Sequence, residues 1–128
     1  METLGAMALA MMVAQDLPPG ALEAIRAFLD TAPGLVQDLR TLIDANPIFI
    51  GRNKGIAYLD LAGCMALGVT GPMLRSTGLP WDLRKSQPYC GYETYDFDVP
   101  VVDTCDAYGR YLIRMDEITQ SLRIVRQC

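Results

Sequence analysis

The segment DAYGRYLIRMDEITQSLRIVRQC, Asp106 to Cys128, sets the fold class. Tyr108, Tyr111, Met115, Ile118, Leu122 and Val125 step by 3, 4, 3, 4 and 3, which is the spacing of an apolar seam along one side of an α-helix. Arg110, Arg114, Glu117 and Ser121 form a separate polar stripe, stepping by 4, 3 and 4. Its usual place is a solvated face. Glu117 follows Arg114 by three residues, so an ion pair along the helix is expected. Asp103 or Thr104 is the expected cap. No Gly, Asn or Pro stops the pattern before Cys128, and this predicts an element cut before its natural end.

Upstream, helical spacing returns. Asp16-Leu17-Pro18-Pro19-Gly20 reads as a turn and a helix start, with Asp16 as cap. Leu22, Ile25, Phe28 and Leu29 fit one helical face, and Leu35, Val36, Leu39, Leu42 and Ile43 fit another. Between them Pro33-Gly34 predicts a kink or break, because proline has no N–H to donate. The second helix should end near Asn46-Pro47. Ile48-Phe49-Ile50 is short and apolar, and Gly51 to Gly55 reads as a basic turn. Leu61 to Leu67 predicts a short helix closed by Gly68. Ile56 to Leu61 and Phe97 to Val102 predict short strands, the second at an edge because of Pro100. The expected fold is therefore mainly α and bundle-like, with a kinked N-terminal helix, a long C-terminal helix and minor β structure. No repeat or linker divides it, so residues 1–128 read as a single partial domain.

The connection GPMLRSTGLPWDLRKSQPYCGYETYDFDVP, Gly71 to Pro100, is unlike the rest. It holds one Trp, three Tyr and four Pro, which argues against regular structure and against a plain solvated loop. Asp82 and Arg84 flank Leu83, so on extended backbone both point to one side and can share a partner. A guanidinium suits a bidentate carboxylate contact, and a buried charge needs a partner to offset desolvation. Structural pairing is the favoured reading. Tyr89, Tyr92 and Tyr95 step by three. They read as packed rings with tied hydroxyls, with a pocket wall as the alternative.

Bulk composition narrows the chemistry. The 128 residues are 51% hydrophobic with 20% charged, in the globular range. Fifteen acidic side chains against eleven basic give a net charge of -4, a poor basis for neutralising nucleic-acid phosphates. There is no histidine, so the usual general base at neutral pH is missing and Ser-His or Cys-His nucleophiles are excluded. Cys64, Cys90, Cys105 and Cys128 contain no C-x-x-C. They read as free thiols with no metal site. The apolar run from Leu4 to Ala14 is too short to span a bilayer and lacks the basic start of a signal peptide, so a buried helix, or a segment cut from its normal neighbours, is expected there and no transmembrane segment. On physics alone this is a mainly helical domain with no catalytic constellation.

Several segments together resemble a known family. Ala45 to Phe49 (ANPIF), Lys54-Gly55, VTGPMLRSTGLPWDLRKSQPYCGYETYDFDVP and the Asp106 to Cys128 helix are similar to the D subunit of bacterial NADH-quinone oxidoreductase. The DLRK-x-x-PY-x-x-Y core, Asp82 to Tyr92, is the most specific part, and the likeness runs from about Val13 to Cys128. An actinobacterial character is suggested by LAGCMALGVTGP and by Cys105-Asp106, where many members have Gly-Asp. The paired C-x-x-C motifs of a nickel-iron hydrogenase large subunit are not present in this sequence.

The resemblance implies a peripheral-arm subunit of complex I, a multisubunit translocase of the respiratory chain at the cytoplasmic face of the cell membrane. That subunit helps form the quinone-reduction site beside the iron-sulfur subunit carrying the terminal cluster, in an enzyme coupling NADH oxidation to proton translocation. The parent complex uses NADH, FMN, iron-sulfur clusters and quinone, and the resemblance implies that this chain binds none of them. The family's quinone ligands, a His and a Tyr, belong to an N-terminal region that this sequence does not match, so no catalytic and no quinone-binding residue is expected here. Arg75, Asp82, Arg84, Lys85, Tyr89, Tyr92, Arg110, Arg114 and Glu117 are the structural and interface candidates. The alternative is an independent helical interaction module, or a non-catalytic remnant, without a redox role.

Overall fold

The computed structural model describes residues 17–128; the expected Asp16 cap and the Leu4 to Ala14 helix lie outside them. Six α-helices occur among the described residues: α1 (Ala21–Ile43), α2 (Pro47–Asn53), α3 (Leu61–Leu67), α4 (Pro72–Arg75), α5 (Leu83–Ser86) and α6 (Ala107–Gln127). A single 3₁₀ turn spans Tyr92–Thr94. The mainly α expectation holds.

Helix α6 is the hub, and α1, α2 and α4 all pack on it. It is buried on two sides rather than one. Met115 of the expected seam is buried, whereas Ile118 is exposed; Gly109, Arg110, Ile113 and Ile124 are buried on another side. The polar stripe is thus not a solvated face at Arg110. The expected Arg114–Glu117 pair does not form. Arg114 donates to its own helix at the Arg110 carbonyl (3.1 Å), and Glu117 is taken by Arg75. Phe97, Ile113, Cys64 and Ser76 are the most enclosed side chains.

The cap of α6 is Asp106, not Asp103 or Thr104. Its carboxylate accepts from Gly109 N (2.7 Å), Gly55 N (2.8 Å) and Thr104 Oγ1 (2.9 Å). One side chain therefore caps the helix and ties the α2–α3 connection to it. Gly109 is required by this close approach, since a Cβ there would collide with Thr104 Oγ1 and come within 2.9 Å of Val102 Cγ2.

Helix α1 runs through Pro33 without a break. Proline cannot donate to the carbonyl four residues earlier, which is that of Leu29. Arg126 of α6 fills the gap, with Nη2 donating to Leu29 O at 2.9 Å and to Asp30 Oδ1 at 3.0 Å. A side chain remote in sequence thereby replaces the missing backbone donor. Helix α1 ends at Ile43, and Asn46 caps α2 by accepting from Ile48 N and Phe49 N. Ile48-Phe49-Ile50 and the first part of the supposed basic turn are accordingly helical. Helix α3 matches its expected bounds, capped by Asp60 and closed by Gly68 at φ 64°.

The two expected strands are not strands; no strand occurs among the described residues. Their backbone groups find other partners. Leu59 N donates to Cys105 O (2.9 Å) and Val102 N to Arg75 O (3.2 Å). Asp98 N donates to Gln120 Oε1 (3.0 Å) on α6, and Asp96 N to Gln127 Oε1 (2.8 Å). The side chains of α6 thus take the place of a neighbouring strand. Within the irregular Val69 to Asp96 stretch, α4, α5 and the 3₁₀ turn supply brief regular pieces.

Candidate functional site

The charged-aromatic connection folds around Arg75, the last residue of α4. Its backbone is placed by Arg75 N donating to Gly71 O (3.0 Å). Its guanidinium is buried and forms an ion pair with Glu117 on α6. Nη1 also donates to Trp81 O (3.3 Å), while Nε is buried without a hydrogen-bond partner among the described residues.

Asp82 is the second fixed point. It caps α5 by accepting from Arg84 N (3.0 Å). The Arg84 side chain turns back onto the same carboxylate, with Nε at 3.0 Å and 3.2 Å and Nη2 at 2.6 Å. The two residues partner each other directly. Burial alone would raise the Asp82 carboxyl, but hydrogen bonds from Arg84 and the charges of Arg84 and Arg75 outweigh it and hold it below the ordinary carboxylate value. The hydrogen bond to Asp82 raises Arg84 above its ordinary value against the opposing effect of burial. Glu117–Arg75 and Asp82–Arg84 are therefore two ion pairs, with the Arg75 charge also acting on Asp82.

Phe97 forms the floor beside it. The Arg84 guanidinium carbon lies 5.0 Å from the Phe97 ring centre, and Lys85 Nζ lies 4.2 Å from it, within cation–π range. Tyr92 meets Tyr89, Tyr95 and Phe97 edge-on at 5.2, 6.0 and 6.3 Å. A shallow cleft of about 260 Å³ opens above the network, and Tyr89, Trp81 and Thr70 line it together with Arg75, Asp82 and Arg84.

Seven of the nine sequence candidates fall in this region: Arg75, Asp82, Arg84, Lys85, Tyr89, Tyr92 and Glu117. Arg110 and Arg114 join neither ion pair. Arg110 donates to Ala57 O (2.8 Å) from a buried position, with Nη1 unpartnered among the described residues. Phe97 escaped the sequence reading because it looked like a strand residue. So did Asp106, whose signal was a glycine at its third following position. A further polar pair also went unread: Tyr111 donates to Asp44 Oδ1 (2.6 Å), and burial, with that hydrogen bond, pushes its phenol up to about 12. Among the described residues no three Cys, Asp or Glu side chains gather as metal ligands.

A family model described as respiratory-chain NADH dehydrogenase, 49 Kd subunit, matches residues 9–128. The chain belongs to this family. Among its relatives, the second D subunit of NADH-quinone oxidoreductase from Streptomyces coelicolor is 65% identical over 116 residues, covering 91% of the chain and 26% of that relative. The D subunits from Rhodococcus jostii and from a Mycobacterium species are each 62% identical over 116 residues, with the same coverage. The chain thus spans about a quarter of the length of these relatives. The expected family likeness and its actinobacterial character both hold. Cys105 adopts a left-handed φ of 57°, a conformation that favours glycine.

Proposed function

We propose that this chain is a structural part of the D subunit in the peripheral arm of NADH-quinone oxidoreductase. In this reading the whole subunit helps form the quinone-reduction site beside the iron-sulfur subunit with the terminal cluster. It sits at the cytoplasmic face of the membrane, in an enzyme that couples NADH oxidation to proton translocation. No helix among the described residues is long and apolar enough to cross a membrane; in this reading attachment comes through partner subunits. NADH, FMN, iron-sulfur clusters and quinone supply the redox chemistry of the assembly, and no step of it is assigned to a residue here.

The observation that carries this reading is the group of two ion pairs, Glu117–Arg75 and Asp82–Arg84. Its charges are committed pairwise, and Asp82 is held ionised. Such a group holds elements in register instead of exchanging protons near neutrality. It fastens the irregular connection onto α6 while leaving Lys85, Trp81 and Tyr89 exposed for neighbouring subunits. Arg110 and Arg114 serve the same scaffolding along α6.

The test is a native gel of detergent-solubilised membranes, probed for this chain. Migration with a large NADH-oxidising band is expected. Migration only at low mass and outside the membrane fraction would overturn the reading in favour of a separate module without a redox role.

A further inference from the structure

We draw no further inference here: the strongest candidate, the shallow cleft above Arg75 that Thr70, Trp81, Arg84 and Tyr89 line, belongs to the site already described, its two guanidinium groups are already paired with Glu117 and Asp82, and nothing in the structure shows what covers it.

Discussion

Arg75 and Glu117 lie forty-two positions apart, and their pair is the one salt bridge that fastens α4 to α6. Removing one partner of a buried pair leaves the other charge desolvated and typically costs about 3–5 kcal/mol. Glu117 retains some solvent contact, so Arg75→Met should cost about 3 kcal/mol, at the low end of that range. The double variant with Glu117→Gln should recover part of it in urea unfolding. Strictly additive losses would show that the two residues are not coupled. Asp106 makes a prediction of the opposite kind, in pH. Burial raises its carboxyl, but hydrogen bonds from Gly55, Gly109 and Thr104 and the charge of Arg110 outweigh this and set it below its ordinary value. A lowered folded-state value means that its stabilisation is fully present above the unfolded carboxylate value, about 3.9, and is lost as pH falls through the folded value. Acid unfolding followed by circular dichroism should therefore steepen below about pH 4, and Asp106→Asn should remove that share. A profile unchanged by Asp106→Asn would contradict the capping account.

At the scale of elements, Pro33 and Arg126 form a compensating pair. Arg126→Ala strips the donor from Leu29 O and should cost about 1 kcal/mol. In a Pro33→Ala background the restored N–H serves that carbonyl, so the same Arg126 substitution should cost much less. Equal costs in the two backgrounds would sink the assignment. This element also shows what sequence alone conceals. A proline in the middle of a pattern signals a break unless a donor arrives from elsewhere, and Arg126 stands ninety-seven positions from Leu29. Helix α3 was legible because its closing Gly68 is a local signal, while its cap Asp60 was hidden in the supposed strand. The supposed strands were misread because apolar extended segments near α6 look like strands, while Gln120 and Gln127 meet their backbone groups only in the folded chain. Within the site, spacing suggested that Asp82 and Arg84 share a partner, whereas they pair with each other where α5 begins. The engagement of Glu117 by Arg75 in place of Arg114 needed the tertiary fold.

For the whole molecule, the arrangement predicts a gradient of stability. Amides in the middle of α6, around the fully enclosed Ile113, should exchange hydrogen most slowly, and those of α2, which contains no buried residue, among the fastest. Uniform protection across the chain would contradict a hub built on one helix. The hub also orders events in time. A ribosome makes α1 before α6, and the surface on which α1 rests begins only at Ala107. At about 5–20 residues per second, the intervening chain takes roughly 3–13 seconds to emerge. For that interval Leu29 and Ala32 have no surface to close upon, and the Leu29 carbonyl has no guanidinium to meet it. The nascent chain keeps this surface open until α6 emerges, and a pause in translation before Ala107 lengthens that exposure.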